Sequence, residues 1–249
     1  MNPMRLFIKY SDFITRNRYQ IAIFLLMAGA SALCVFLVTA RIAYSDTEKF
    51  TGLVWNLFLA WIPFLLAYIS HAFSWKKPVI YYVLPFTAFL WLIFFPNAPY
   101  ILTDLQYLAK KSTSAPLWYD VILLIWFAWT GLLLGLVSLY LMHDITQRTF
   151  GRKAGWIFVF TVSLLSSFGV YLGRFVRFNS WDILNDPREI AITILGLAID
   201  PSLRLVAFIF LFAVFYLFVY LTLYSFAHLV RPPAILSPPP GNLREIDRD

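Results

Sequence analysis

Charged residues are rare along this chain, and the uncharged stretches between them are long. Six stretches run for roughly 20 residues without Asp, Glu, Lys or Arg, at residues 20–40, 52–73, 79–95, 121–142, 156–173 and 205–229. A helix rises about 1.5 Å per residue, so this length matches the ~30 Å hydrocarbon core of a bilayer. The pattern predicts six transmembrane helices.

Composition agrees with this interpretation. Hydrophobic residues make up 61% of the 249 residues and charged residues 13%, a balance that a soluble domain of this size cannot pack. The sequence therefore predicts an all-α integral membrane protein. We expect a basic cytoplasmic N-terminus over residues 1–19, a single transmembrane domain over 20–230, and a proline-rich, disordered cytoplasmic tail over 231–249.

The distribution of Lys and Arg predicts the orientation. With the N-terminus inside, the cytoplasmic segments hold 12 of these residues and the opposite segments hold 8. Cytoplasmic loops are enriched in positive charge, so both termini are expected in the cytoplasm of a bacterial cell, with the protein in the inner membrane. The net charge of +7 is then explained by basic cytoplasmic segments that set the topology and lie next to anionic lipid. No nucleic-acid partner is expected.

The first apolar run could also be a cleaved signal peptide. Its length of about 20 residues exceeds the 7–15 apolar residues of such a peptide, so we expect it to stay as an anchor. Cys34, the single cysteine, lies within this run, and a disulfide within the chain is therefore excluded.

Two segments between the spans are apolar yet too short to cross. Residues 99–110 begin with Pro99, and a helical period of 100° puts Asp104 at the edge of their apolar face. Residues 187–199 follow Asp186, which forms a capping box with Glu189 around Pro187. Both segments are predicted to be short helices that are interfacial or re-entrant.

Polar residues concentrate in two unusual stretches, FFPNAPYILTDL at 94–105 and GRFVRFNSWD at 173–182. The predicted topology places both on the non-cytoplasmic side, and an arginine guanidinium suits carboxylate or phosphate. Asp104 is predicted to pair with Arg174 or Arg177, either as a structural brace or as one wall of an anion site. The candidate ligand-binding residues are Asn97, Tyr100, Thr103, Asp104, Arg174, Arg177, Asn179, Trp181 and Asp182.

Each candidate also has a structural interpretation. The two arginines can extend to lipid headgroups, the two aspartates can cap helices or pair with those arginines, and Asn97 can be a turn residue between two prolines. These alternatives stay open at the level of sequence.

At FFPNAPYILTDL and YLGRFVRFNSWD the chain resembles a family of bacterial membrane proteins known only as domain of unknown function 1361. The resemblance extends over nearly the whole chain. It implies a multi-pass membrane architecture, and it implies no reaction, cofactor or catalytic residue.

Each of the three histidines lies near the predicted cytoplasmic end of a different even-numbered span. They are His71, His143 and His228. A metal or haem site at one depth is one interpretation, and stabilisation of a helix C-terminus through its dipole is the other. No Cys or second His lies nearby at ligand spacing, so we expect no metal and no cofactor.

Three functional classes remain. The two arginines and the carboxylates favour binding of an anionic membrane-associated molecule, such as a lipid headgroup or an envelope precursor, with its modification left open. A structural or assembly subunit of a membrane complex is the alternative. A transporter is disfavoured because the middle of every span lacks an ionisable residue.

The orientation can be tested by labelling single cysteines, in a background without Cys34, with a thiol reagent that does not cross membranes. Cysteines at Ser112 and Asn185 should react in intact cells, and one at Ser237 should react only after permeabilisation. The reverse pattern would place both polar stretches in the cytoplasm.

Overall fold

The structure, a computed structural model, describes residues 3–74, 83–109, 115–178 and 182–229, with the backbone alone at 3–17, 183–184 and 228–229. Every regular element in these ranges is helical. They are α1 (Pro3–Ser45), α2 (Thr51–Phe73), α3 (Leu84–Phe94), α4 (Asn97–Tyr100), a 3₁₀ segment (Ile101–Ala109), α5 (Leu117–Phe150), α6 (Arg152–Tyr171), a π turn (Leu172–Val176), α7 (Asp182–Asn185), α8 (Pro187–Ile199) and α9 (Leu203–Leu229). The predicted tail at 231–249 lies outside the described residues.

Within these ranges, six helical stretches are long and apolar enough to cross a membrane. They are Arg18–Ser45, Thr51–Phe73, Leu84–Ala109, Leu117–Phe150, Arg152–Val176 and Leu203–Ala227. The predictions of an all-α membrane protein and of six spans are confirmed. α1 starts at Pro3, so the basic N-terminal segment continues the first span as helix.

The third span differs most from its apolar run. α3 has 11 residues and rises about 16 Å, only half of the hydrocarbon core. Helix continues through α4 and the 3₁₀ segment, so residues 99–109 are helical as predicted and follow α3 within one helical stretch. That this segment and α8 lie along the membrane plane stays a prediction.

α5 is the centre of the bundle. It packs against α1, α2, α4, the 3₁₀ segment and α6, while α9 packs on α6. It is the most buried of the six spans, and α1 is the least buried. The polar stretch that follows α3 therefore lies against the central helix.

Two glycines on α5 make room for that stretch. A Cβ on Gly131 would lie 2.9 Å from the carbonyl oxygen of Ala98 and 2.7 Å from Cδ1 of Ile101. A Cβ on Gly135 would lie 3.1 Å from Cβ of Ala98. The motif GLLLG thus lets the α4 backbone approach α5 closely, as small residues four apart do between membrane helices.

A second pair of glycines does the same on α6 and the π turn that follows it. A Cβ on Gly169 would lie 2.6 Å from Cγ of Pro96, and one on Gly173 would lie 3.1 Å from Cε2 of Tyr100. These glycines are also four residues apart, in GVYLG. The stretch Pro-Asn-Ala-Pro-Tyr is therefore held between two glycine pairs. One pair lies on α5, and the other lies on α6 and its π turn.

The capping box predicted for α8 is present. The side chain of Asp186 accepts a hydrogen bond from the backbone N–H of Glu189 at 3.1 Å, and the helix spans Pro187–Ile199 as expected. Ile190 is the only buried residue of this helix, which the structure describes in full. α8 consequently lies on the outside of the bundle.

Gly169→Ala should destabilise the fold because the new methyl group would collide with the ring of Pro96, and such overpacking costs about 1–3 kcal/mol. Thermal unfolding in mild detergent should show a lower midpoint. Gly29→Ala in α1 is the matched control, because nothing lies within 4 Å of the position that its new methyl group would take. Equal midpoints for the two variants would contradict the proposed fit.

Candidate functional site

The geometry of the 3₁₀ segment buries Asp104. Residues three apart eclipse one another in a 3₁₀ helix, so Ile101, Asp104 and Tyr107 form one row. Ile101 and Asp104 are each 1% exposed. The sequence-based position of Asp104 at the edge of an apolar face was wrong, because it assumed an α-helical period of 100°.

Asp104 forms an ion pair with Arg174. Oδ1 of Asp104 accepts a hydrogen bond from Nη2 of Arg174 at 2.8 Å, and the two side chains are 1% and 8% exposed. Oδ2 accepts another from Nδ2 of Asn56 at 2.9 Å. These bonds connect the 3₁₀ segment with α2 and with the π turn after α6.

The other donors of Arg174 are also used. Arg174 donates to the hydroxyl of Tyr100 at 3.2 Å and to the carbonyl oxygen of Thr103. The side-chain oxygen of Gln106 accepts from the guanidinium at 2.8 Å when its amide takes the orientation that satisfies both of its ends. The guanidinium also lies over the rings of Tyr100 and Tyr107. The guanidinium donors of Arg174 are therefore used for hydrogen bonds within the protein.

Arg177 has a different environment. The π turn ends at Val176, and Arg177 adopts the left-handed conformation with φ 69° and ψ 31° while its N–H binds the carbonyl oxygen of Leu172. Its side chain is exposed. The helical turn therefore ends before Arg177, and of the two arginines predicted to pair with Asp104 it is Arg174 that does so.

The other predicted residues mostly make local contacts. Asn97 donates to the carbonyl oxygen of Phe94 at 2.9 Å, which is the turn role, and the hydroxyl of Thr103 donates to the carbonyl oxygen of Tyr100 at 2.7 Å. Asp182 begins α7 and is half-buried. Asn179 and Trp181 lie outside the described residues.

A pocket of about 170 Å³ adjoins the ion pair. Its polar lining residues are Asn56, Asn97 and Tyr100, and its apolar lining comes from α2, α3, α6 and α8. Ile190 and Ile194 close it on the side of α8. Two of the predicted residues, Asn97 and Tyr100, thus line one pocket. Asp104 and Arg174 do not line it and instead form hydrogen bonds with two lining residues, Asn56 and Tyr100.

Sequence reasoning missed Asn56 and the neighbouring Trp55, which both line the pocket. They lie in the second apolar run, where the amide of Asn56 is a rare strongly polar group. A polar side chain within a span usually faces the protein interior, and this signal could have found it.

The region 55–220 matches the family described as "Protein of unknown function (DUF1361)". The chain belongs to this family. No curated protein and no solved structure matches the chain. The DUF1361 region contains the whole network of Asn56, Asp104 and Arg174 and all residues that line the pocket.

The histidines of the DUF1361 region have separate partners. Nε2 of His71 is 2.8 Å from Oδ2 of Asp144, which also pairs with Arg148 at 2.7 Å. Nδ1 of His143 is 2.7 Å from the hydroxyl of Tyr220. Within the part of the chain that the structure describes, which leaves out the side chain of His228, no three His, Cys, Asp or Glu side chains come together to hold a metal ion.

A second buried ion pair crosses the boundary of the DUF1361 region. Nε of Arg41 in α1 is 2.7 Å from Oδ1 of Asp120 in α5, and Arg41 also donates to the hydroxyls of Ser45 and Thr47. The side chains of Arg41 and Asp120 are 0% and 4% exposed. The predicted topology puts both residues at the non-cytoplasmic ends of their spans. This shared depth is the feature of the sequence that could have predicted the pair.

Asp104→Ala should be strongly destabilising because it leaves Arg174 buried and unpaired, which costs about 3–5 kcal/mol. The midpoint of thermal unfolding in detergent measures this, and the exchange Asp104→Arg with Arg174→Asp should recover part of the loss. Arg177→Ala is the control, since an exposed side chain changes stability by only about 0.5 kcal/mol. Similar midpoints for Asp104→Ala and Arg177→Ala would contradict the role of the pair.

Proposed function

We propose that this protein binds the headgroup of a membrane-associated amphiphile in the pocket beside the Asp104–Arg174 pair, and that an anionic part of the headgroup contacts Arg177. The observation that carries the proposal is the pocket itself. A concave, mostly apolar site with a few convergent polar groups is the usual form of a small-molecule site.

The surroundings of the pocket favour an amphiphile. Its walls include the spans α2, α3 and α6, whose outer surfaces face the bilayer. Trp55 in α2 is 53% exposed, and on α8 Ile192 and Leu195 are 59% and 60% exposed. An apolar chain can therefore remain among lipids while the polar end of the same molecule reaches the amides and the phenol of the pocket.

Arg177 is the better contact for an anion. The guanidinium of Arg174 has partners on all sides, and a ligand would have to displace Asp104 to reach it. Arg177 is exposed and directly precedes Phe178, which lines the pocket. A guanidinium presents paired donors that suit phosphate or carboxylate. The lipid headgroup or envelope precursor expected from the sequence fits this arrangement.

The proposal is for binding rather than for a reaction. The polar side chains that line the pocket are two amides and a phenol, and amides do not exchange protons with a substrate near neutral pH. Asp104, the carboxylate that is bonded to the lining residue Asn56, already accepts a hydrogen bond at each of its oxygens. General acid–base catalysis would require one of them to be released.

The predicted orientation puts the pocket on the non-cytoplasmic face of the inner membrane, which is the location that we propose. A role as a structural or assembly subunit is the second candidate. It is supported by the ion-pair network, which connects three elements through side chains of the protein itself.

A substitution that fills the pocket distinguishes ligand binding from a structural or assembly role. Ile194→Trp should abolish co-purification of the ligand in mild detergent, as measured by native mass spectrometry, because Ile194 lines the pocket. Ile192→Trp is the matched control, since it adds the same ring to the same helix at a residue that is 59% exposed and does not line the pocket.

Bound mass that survives in both variants, or that is missing from the unchanged protein, would contradict ligand binding and favour the structural role.

The charge of the ligand is tested by Arg177→Gln, which should reduce the bound fraction. Arg152→Gln removes the same charge from an exposed residue at the start of α6, the end of that helix away from the pocket, and should leave the bound fraction unchanged.

A further inference from the structure

The described residues that line the pocket carry no charge. Hydrogen bonds can be offered by the amide of Asn56 and by the hydroxyl of Tyr100, and Asn97 is the third polar residue of the lining. Aromatic surface comes from Trp55, Tyr100 and Phe178. The pocket thus combines neutral donors and acceptors with aromatic rings.

The ion pair holds two of these polar groups in place, the amide of Asn56 and the hydroxyl of Tyr100. Asn56 donates one amide hydrogen to Asp104, and an amide held in this way still presents a carbonyl oxygen and a second N–H. The hydroxyl oxygen of Tyr100 accepts from Arg174, which leaves the hydroxyl hydrogen to be donated in another direction. Groups that are oriented before binding lose less entropy when a ligand arrives.

We infer that the part of the ligand inside the pocket is a sugar ring, so that the amphiphile is glycosylated. This inference rests on the proposed function. Adjacent sugar hydroxyls both donate and accept, which matches the two ends of an amide, and the C–H face of a sugar packs against an aromatic ring. At about 30 Å³ of liquid volume per water molecule, the pocket of about 170 Å³ has the volume of roughly six waters, which is close to that of one sugar ring.

Other headgroups fit less well. A phosphate inside the pocket would be buried without a cation, since Arg174 is committed to Asp104. A quaternary ammonium would find aromatic rings, but the guanidinium of Arg174 already lies 5.1 Å from the centroid of the Tyr100 ring and repels a second cation. A neutral polyhydroxylated group avoids both costs.

Trp55 is the residue expected to pack against the sugar. Its ring stacks on Phe58 with centroids 5.4 Å apart, is 53% exposed and lines the pocket. Trp129 on α5 is a matched control, because it is 55% exposed and does not line the pocket.

The test uses the full chain in the sugar-free detergent dodecyl nonaethylene glycol ether, with octyl glucoside or octyl tetraethylene glycol ether added. Octyl glucoside should raise the midpoint of thermal unfolding in a saturable manner, and the ethylene glycol ether should not. Trp55→Leu should weaken the effect by about tenfold in concentration, equivalent to ~1.4 kcal/mol, while Trp129→Leu should leave it unchanged.

The inference is overturned if both additives act alike or if Trp55→Leu and Trp129→Leu respond equally. Octyl phosphate separates this failure from failure of the proposed function. Stabilisation by octyl phosphate alone would reject the inference of a sugar and support binding of an anionic amphiphile. If none of these additives stabilises the protein, both the sugar inference and the proposed function are rejected.

Discussion

A buried carboxylate in an apolar bundle must be paired, and the pair between Asp104 and Arg174 meets this constraint. An isolated ion loses much of its solvation energy when it leaves water, and only close opposite charge with further hydrogen bonds compensates for the loss. Asn56 and Tyr100 supply such bonds. Because the partners come from α2, the third span and the turn after α6, the requirement to pair one carboxylate connects three parts of the chain.

Close packing makes this pairing geometrically feasible. Gly131 and Gly135 admit the α4 backbone to the surface of α5, and Gly169 and Gly173 admit a proline and a tyrosine ring to α6 and its π turn. Without a hydrophobic driving force between helices in lipid, contacts of this kind supply much of the association energy. Electrostatic pairing and glycine packing thus act on the same short segment.

The consequence for function is a division of roles between the two arginines. Arg174 stabilises the structure and orients Tyr100, while Arg177 is exposed next to the pocket. In the function that we propose, recognition inside the pocket depends on the neutral amides and aromatic rings, and Arg177 is the contact for charge. The sequence motif that contains both arginines thus combines a buried, paired residue with an exposed one.

Hydropathy and local capping were enough to predict the membrane class, the six spans and the limits of α8, because each depends on neighbouring residues alone. The conformation around Asp104 was not predictable in this way. Whether a segment forms an α-helix, a 3₁₀ helix or a π turn is decided by tertiary packing, and this choice rotates Asp104 into the protein and ends the helix before Arg177. The roles of Asn56 and of the four glycines likewise depend on contacts with residues far away along the chain. The sequence by itself determined which segments are long and apolar enough to span a membrane. Only the tertiary structure decided which polar groups meet, because pairing depends on distances in space rather than on spacing along the chain.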